Sequence, residues 1–320
     1  MLKIYLNGKS ENCIFTLCIG KEYVERWERI SLPFWKIYCE RHDLSLIALI
    51  SPFKDTGGKR VDWQKLLCGK AVRDSKLKIQ NVCFVDYDIV PNPYAPNIFE
   101  TYNENSIGFV SQRENMPYKN VNEVLKLIAY YRNKYSDGGY PLDSYLFASP
   151  QKIFEDHGLP PYNNYGCGGL FILNVESHSK LFENSFEDDE RHALDVSNPG
   201  EEAALNHCIQ GSGKCHWLDY SWQTLWWYEM PWNYPWLYDR ERRTSTMTQD
   251  AILSTLMKTN FLHFVGSWEK WAWEEAEGLF NKSVLHELEK FSLYKKEMPK
   301  SPNLGLIFPK SSDELKLVSQ

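Results

Sequence analysis

Compact apolar runs alternate with amphipathic segments over the first ninety residues of the chain. The runs that predict buried strands are 13–19, 44–50 and 82–85. Between them, 22–42 and 62–75 carry apolar residues at helical spacing, and Pro33 is expected to break or kink the first of these helices. An alternation of strand and helix predicts a parallel sheet with crossover helices.

The rest of the chain has a less regular pattern. The predicted strands there are 106–112, 168–175 and 261–265, and the predicted helices are 121–134, 176–186, 201–209 and 271–293. No internal repeat and no long Pro/Gly/Ser linker separates these elements. We therefore expect one α/β domain over 1–298, with a Rossmann-like, mixed, mainly parallel sheet flanked by helices. The Lys/Ser/Pro-rich tail at 299–320 is expected to be loosely held.

Composition narrows the class of protein. Charged residues make up 24% of the 320 residues and hydrophobic residues 43%, which excludes a disordered or fibrous chain. The net charge of −6 argues against nucleic acid as a partner, because phosphate binding needs a clustered basic surface. No run approaches the roughly 18 apolar residues of a membrane span, and no signal-peptide cleavage site follows the first apolar run. A cytoplasmic protein is expected.

The eight cysteines are scattered and form no Cys-x-x-Cys pair. Buried, reduced thiols are therefore expected, with disulfides as the alternative. The spacings 13/18 and 208/215 match no common zinc pattern.

Asp86 and Asp88 follow the third predicted strand. In open α/β sheets, ligands bind beyond the carboxyl ends of strands, and a spacing of two on extended chain points both carboxylates the same way. Converging carboxylates repel each other unless a cation lies between them, which predicts a hard divalent ion with positions left for substrate phosphates. A surface turn is the alternative, because roughly one Asp-x-Asp pair is expected by chance in a chain of this composition.

Several separated segments, in the expected order, resemble the nucleotide-sugar-dependent glycosyltransferases of the GT-A fold, most nearly glycosyltransferase family eight. Asp86-Tyr87-Asp88 is similar to the Asp-x-Asp motif of that family. The other segments that carry the resemblance are Gly168-Gly-Leu-Phe-Ile-Leu-Asn174, Glu201-Glu-Ala-Ala-Leu-Asn206, Met230-Pro-Trp-Asn233 and His263-Phe-Val-Gly266. The likeness covers roughly residues 13–275.

The resemblance implies a metal-dependent transfer of a sugar from a nucleotide diphosphate sugar, with a UDP-sugar favoured, to a glycan or other hydroxyl acceptor. It implies a nucleotide-binding half at about 10–115 and an acceptor half at about 116–298. It slightly favours retention of the anomeric configuration. Asp86, Asp88 and His263 are the implied ligands of Mn²⁺ or Mg²⁺, and an imidazole ligand favours Mn²⁺.

The resemblance also implies the donor site. Thr16 and Tyr23 would meet the base and ribose, and the turn at Gly168-Gly169 would allow close approach of the sugar. The other implied donor-binding residues are Lys65, Tyr87, Gly266 and Lys270, and the implied catalytic residues are Asn174, Glu201 and Glu202. Two departures from the family pattern are that Lys270 lies four residues after the glycine rather than three, and that Glu202 stands where Gln is common.

An unusual density of aromatic residues marks 217–238. Because sugars pack their C–H faces on aromatic rings, Trp222, Trp226 and Asn233 are predicted to form an acceptor platform, with burial in the core as the alternative. Asp137 and Asp143 are expected to line the same cleft or to be turn residues.

Two other classes of protein fit part of the sequence. The strand ending in Asp86 resembles the nucleophile motif of haloacid-dehalogenase-type phosphatases, in which Asp86 would attack phosphate and the acidic run 187–190 would serve as the later acidic pair. A non-catalytic carbohydrate-binding protein would explain the aromatic residues but gives no reason for the paired aspartates.

Overall fold

A mixed seven-stranded sheet forms the centre of this computed structural model, which describes residues 1–118, 120–135, 145–187 and 200–297. The strands are Leu2–Leu6 (β1), Asn12–Leu17 (β2), Ser45–Leu49 (β3), Asn81–Asp86 (β4), Ile89–Pro91 (β5), Ile107–Ser111 (β6), Gly166–Asn174 (β7), Cys215–Leu218 (β8), Thr224–Leu225 (β9) and Phe261–His263 (β10). The large sheet has the order β1-β3-β2-β4-β7-β6-β8.

Strand direction makes this sheet mainly parallel, as predicted. β3, β2 and β4 run the same way. β7 is antiparallel to both β4 and β6, so β6 and its parallel neighbour β8 run with β4. Only β1 and β7 of this sheet run the other way. Since β7 is reversed, its first residues lie beside the carboxyl end of β4.

A second, three-stranded sheet has the order β5-β10-β9. β5 begins one residue after Asp88, and its first residue, Ile89, pairs with His263 on β10. The turn at Tyr87-Asp88 thus joins the two sheets, and the pairing brings a residue from late in the chain beside the aspartate pair.

Helices cover both faces of the large sheet. They are Lys21–Ile30 (α1), Leu32–Arg41 (α2), Cys68–Asp74 (α3), Val121–Tyr135 (α4), Pro150–Asp156 (α5), Val175–Glu187 (α6), Glu202–Gly211 (α7), Trp226–Asn233 (α8), Ser245–Lys258 (α9), Trp271–Glu275 (α10) and Lys282–Glu297 (α11). A 3₁₀ segment, Val61–Leu67, precedes α3.

Two predicted helices are divided in the structure. The segment 22–42 splits at Ser31, and Pro33 lies in the first turn of α2, where its missing N–H costs little. The prediction of one helix over 271–293 was wrong. α10 gives way to a 3₁₀ turn, Ala276–Leu279, and α11 begins after Asn281, whose side chain accepts a hydrogen bond from the Val284 N–H.

Separate apolar layers pack on the two faces of the sheet. Phe84 and Phe171 stack on each other on the face covered by α3, α6 and α7. Trp35 and Tyr38 of α2 pack on the opposite face. All eight cysteines are free thiols. None of the described helices combines the length and the apolar character that crossing a bilayer requires.

Candidate active site

A cleft of about 410 Å³ opens where β4 ends and β7 begins. It lies beyond the carboxyl ends of parallel strands, the usual ligand position in an open α/β sheet. Most of the residues predicted for the site line it: Tyr23, Lys65, Asp86, Tyr87, Asp88, Gly168, Gly169, Glu201, Glu202, His263, Gly266 and Lys270. The fold therefore brings residues from most of the length of the chain together in this one cleft.

Asp86, Asp88 and His263 lie together in this cleft. His263 Nε2 lies 3.2 Å from Asp88 Oδ1 and 3.8 Å from Asp86 Oδ2. One ligand atom from each residue lies within 4.8 Å of the other two. Asp88 and His263 are buried, and Asp86 is partly exposed. This set of two carboxylates and one imidazole is compatible with a divalent metal ion.

Each carboxylate divides its oxygens between the histidine and a lysine. Asp86 Oδ1 lies 3.2 Å from Lys65 Nζ, and Asp88 Oδ2 lies 2.7 Å from Lys270 Nζ. Burial raises the pKa of Asp86. Burial also disfavours the charged form of Asp88, but the ammonium group of Lys270 outweighs it and holds the pKa of Asp88 below its ordinary value. The two lysines therefore frame the triad with positive charge.

Gln223 fixes the orientation of the imidazole. Its side-chain amide lies 3.0 Å from His263 Nδ1. With its oxygen turned toward Nδ1, this amide also accepts from the Leu170 N–H and donates to the Cys167 carbonyl. Nδ1 then carries the proton, and the lone pair of Nε2 points at the aspartates.

The buried Oδ1 of Asp88 tests whether a metal ion fits these residues. It accepts no hydrogen bond, although His263 Nε2 lies 3.2 Å away. In the tautomer set by Gln223, two lone pairs face each other at this point, an arrangement that is costly unless a cation lies between them. The donor set and this orphaned oxygen both fit a divalent ion.

Gly168 and Gly169 lie inside β7, so the prediction of a turn at these glycines was wrong. The close approach expected of them does occur. A Cβ on Gly169 would lie 2.3 Å from His263 Cε1 and 2.8 Å from His263 Nδ1. A side chain at this position would therefore displace the histidine, which explains the glycine without any turn.

Two adjacent glutamates follow Gly200 at the start of α7. Glu201 forms a buried ion pair with Lys65, at 2.6 Å, so its charge is neutralised within the protein. Glu202 accepts a hydrogen bond from the Gly168 N–H at 3.0 Å, and burial raises its pKa to about 7. The two neighbours therefore differ: Glu201 holds a lysine, and Glu202 is poised to titrate near neutral pH.

Tyr23 and Tyr87 form an aromatic wall of the cleft. Their rings meet edge to face at 5.3 Å, and 44% of Tyr23 is exposed. Lys270 donates a hydrogen bond to the Tyr87 hydroxyl at 2.7 Å. Lys270 thus binds both ends of the Tyr87-Asp88 segment, despite its shifted position relative to the family pattern.

The structure separates Asn174 from the cleft, so its predicted catalytic role was wrong. Asn174 pairs with Asn81, at the opposite end of β4 from Asp86, and the amide Nδ2 donates to Asn81 Oδ1. Asn81 and Asp86 are separated by five steps of extended strand, roughly 17 Å. The cause is the reversed direction of β7, whose carboxyl end faces away from the site.

Three other predicted contacts are buried in the core instead. Thr16 is fully buried within β2, so it has no surface to offer a nucleotide. Trp222 packs edge to face on Phe261, and Trp226 stacks on Tyr234. Both tryptophans are at most 3% exposed, which contradicts the acceptor platform and supports the core alternative.

The sequence did not place Trp227 or Gln223 in the cleft beside the metal triad. Trp227 is the member of the aromatic segment that lines the cleft, and it also lines an adjoining cavity of about 740 Å³ together with Glu202 and Gly266. The aromatic density was a usable signal for Trp227, but nothing in the sequence indicated that Gln223 contacts His263. Asn233 lines a third cavity, and Asp137 and Asp143 lie outside the described residues.

No protein-family model matches the chain, and no curated protein matches it in sequence. Among solved structures, the chain is similar to a glycosyltransferase involved in glycosylation of the major capsid of PBCV-1, with 9% identity, a TM-score of 0.48, and 83% of this chain and 99% of that one covered. It is similar to the galactosyltransferase LgtC in complex with donor and acceptor sugar analogues, with 12% identity, a TM-score of 0.46, and 90% and 98% covered. At these scores the resemblance to the two glycosyltransferases is loose.

Proposed function

We propose that this protein is a metal-dependent glycosyltransferase that moves a sugar from a nucleoside diphosphate sugar to a hydroxyl group of a glycan or similar acceptor. The observation that carries the proposal is the triad Asp86, Asp88 and His263, framed by Lys65 and Lys270 in a cleft that adjoins a larger cavity. A dianionic pyrophosphate with a flat base and a polar sugar fits that combination of charge and shape.

Asp86, Asp88 and His263 would hold the metal ion, and the histidine favours Mn²⁺ over Mg²⁺. When bound, the ion supplies positive charge beside the pyrophosphate that leaves the sugar. The protein contributes the two lysines, which remain charged because burial is outweighed by the carboxylates around them and their pKa values are raised. Cationic groups that are already in place cost no reorganisation as negative charge develops.

The donor is expected to extend along the cleft. Tyr23, which is half exposed beside Tyr87, offers a ring face to a base, and the sequence resemblance favours a UDP-sugar. The absent side chains of Gly168 and Gly169 leave room for the sugar next to the triad. The nucleotide half of the domain is thus proposed at about 10–115.

The acceptor is proposed to occupy the 740 Å³ cavity, in the half of the domain at about 116–298. Glu202 and Trp227 line both cavities, so they lie where donor sugar and acceptor would meet. With a pKa of about 7, Glu202 suits the binding or deprotonation of an acceptor hydroxyl. We favour retention of the anomeric configuration, and NMR of the product formed from a donor of known configuration tests it.

A cytoplasmic location is proposed as well. The chain has eight free thiols and no disulfide among the described residues, which is typical of proteins that work in a reducing compartment.

Metal-linked nucleotide binding is the decisive test. We expect UDP, or a UDP-sugar, to raise the melting temperature in the presence of Mn²⁺ and to have little effect without it, because only selective binding to the folded state stabilises. GDP- and CMP-sugars test the preference for the base. Absence of any metal-linked stabilisation by all three classes of nucleotide would contradict the proposal.

The phosphatase alternative is disfavoured by the surroundings of Asp86. A nucleophilic carboxylate needs an oxygen open to the phosphorus atom, whereas Oδ1 faces Lys65 and Oδ2 faces His263. Glu187, the first residue of the predicted acidic pair, forms an ion pair with Lys54, and residues 188–190 lie outside the described part of the chain. Inhibition by beryllofluoride without nucleotide-sugar turnover would reverse this preference.

A further inference from the structure

The short helix α8 presents different faces to different cavities. Trp227 faces the cleft described above. Glu229, Trp232 and Asn233, spaced i, i+3 and i+4, lie together on the opposite side of the helix and line a cavity of about 490 Å³. This third cavity shares no lining residue with the other two. It is therefore a separate concavity that the proposed transfer reaction does not use.

Trp232 gives this cavity an accessible aromatic surface. The ring is 39% exposed and is held edge to face against Tyr118 at a centroid distance of 5.4 Å. The other tryptophans on the buried faces of α8 and in the preceding turn, Trp226 and Trp222, are at most 3% exposed. Trp232 is thus an aromatic residue of this segment that is fixed in place but not covered.

Glu229 provides a largely buried carboxylate that lines the cavity. It is 8% exposed, and its two side-chain hydrogen-bond donors in the described part of the chain are neutral groups. The Tyr118 hydroxyl donates to Oε1, and Asn233 Nδ2 donates to Oε2 at 2.8 Å. Burial of an unpaired carboxylate is costly, and these two donors orient it without neutralising it.

The remaining polar groups have both signs of charge. Asp219 and Lys258 line the same cavity as Glu229 and Asn233. Carboxylates, an amide and an ammonium around one exposed indole match the needs of a sugar, whose hydroxyls both donate and accept and whose C–H face packs on a ring. A cationic ligand would also suit the rings and the carboxylate, but Lys258 repels it.

We propose that this cavity is a second carbohydrate-binding site, in which a sugar residue stacks on Trp232 and hydrogen-bonds to Glu229 and Asn233. A volume of about 490 Å³ lies within the range of ordinary small-molecule sites and has room for one or two sugar rings. The site does not include the metal triad, so sugar binding there can be tested independently of the proposed transferase activity.

The test uses the full chain and a defined set of probes: maltohexaose, cellohexaose and chitohexaose, titrated by intrinsic fluorescence and saturation-transfer NMR. We expect at least one of them to bind the wild type and to bind Trp232→Ala about tenfold or more weakly. Trp232→Phe, which keeps a ring, is expected to retain most of the binding. Trp236→Ala is the matched control, because Trp236 is 50% exposed and lines none of the three cavities.

Two further measurements separate this site from the donor cleft. Asp86→Asn is expected to leave hexasaccharide binding unchanged, and Trp232→Ala is expected to leave metal-linked UDP binding unchanged. No binding of any of the hexasaccharides, equal binding by Trp232→Ala, or loss of binding in Asp86→Asn would each overturn the proposal. Displacement of a bound hexasaccharide by tetramethylammonium would instead identify a site for cations.

Discussion

His263 Nε2 lies 3.2 Å from Asp88 Oδ1, a buried oxygen that accepts no hydrogen bond. Because the Gln223 oxygen accepts a hydrogen bond from the N–H of the other ring nitrogen, His263 Nε2 and Asp88 Oδ1 present lone pairs to each other. Protein interiors rarely leave such a contact uncompensated. A cation is the simplest group that satisfies both atoms, so changes to the residues around them are expected to alter metal binding.

Asp88→Asn is expected to abolish Mn²⁺-linked UDP binding, with a loss larger than the 10–100-fold typical of changes to groups behind a metal ligand. The neutral amide lacks the negative charge that would bind the ion and that pairs with Lys270. Isothermal titration of UDP with and without Mn²⁺ measures the effect. Asp74→Asn is the matched control, since Asp74 also pairs with a lysine, Lys70 at 2.6 Å, on the surface. Equal behaviour of the two variants would remove Asp88 from the site.

Gly169→Ala is expected to weaken metal-linked UDP binding while the protein stays folded. The new Cβ would lie 2.3 Å from His263 Cε1, so the imidazole has to move away from the aspartates. Gly168→Ala is the graded control, because its nearest contact would be 3.3 Å. Metal affinity measured for the two variants should fall more in Gly169→Ala, and the reverse order would contradict the assignment of His263.

Gln223→Leu is expected to reduce the affinity for Mn²⁺ by about 10–100-fold without removing any ligand. Leucine has a similar size but cannot fix the proton on His263 Nδ1. Gln210→Leu serves as a control, since Gln210 also hydrogen-bonds a backbone carbonyl, that of Asn164, but lies outside the cleft. Unchanged Mn²⁺ affinity in Gln223→Leu would show that the imidazole needs no such support.

Glu202 is expected to give an inflection near pH 7 in kcat/KM for sugar transfer, with the rate rising as the carboxylate ionises. Burial raises the pKa of Glu202 from 4.5 to about 7. Its contribution to the free energy of unfolding is therefore fully present below pH 4.5 and is lost as the pH rises through about 7.

Glu202→Gln is expected to remove the inflection in rate and to raise the free energy of unfolding at pH 8 relative to the wild type. Urea unfolding at pH 5 and pH 8 measures the second effect. Glu176→Gln, a change at an exposed carboxylate, should leave both profiles as they are. A rate profile that keeps its inflection in Glu202→Gln would assign the titration to another group.

Glu269→Ala is expected to lower the free energy of unfolding by about 3–5 kcal/mol, because it leaves the buried Arg132 guanidinium without its carboxylate. Glu269 receives hydrogen bonds from Arg132 at 2.8 and 2.6 Å and from the Tyr238 hydroxyl at 2.8 Å. Glu277→Ala, which breaks an exposed pair with Arg29, should cost less than about 1 kcal/mol. Similar losses in both variants would contradict the role of burial.

Local sequence patterns predicted the strands and helices that consist mainly of apolar, buried residues. β2 and β4 are continuous apolar runs because both of their faces are covered. The edge strand β1 was missed because its residues are mostly half exposed or exposed and form no apolar run. α9 was also missed, although Thr244 precedes it and accepts a hydrogen bond from the Met247 N–H as a helix cap.

The errors in the predicted site have one common cause. Residue type alone does not show which way a strand runs or how deeply a side chain is buried. Asn174 was placed at the cleft by the family resemblance, which does not give the direction of its strand, and β7 runs antiparallel to β4. Trp222 and Trp226 were chosen for their rings, which serve a core as well as a surface. Only the tertiary packing determines that Trp227 and Trp232 keep part of their surface exposed.

The sequence by itself determined the acidic pair at the end of a buried strand, since an apolar run followed by Asp-x-Asp is a local pattern. Tertiary structure alone decided which groups face that pair. The pairing of β5 with β10 brings His263 to Asp88, and the reversal of β7 brings Gly169 under the imidazole. These contacts join residues far apart in the chain, and their geometry follows from strand register and direction, which short-range patterns do not encode.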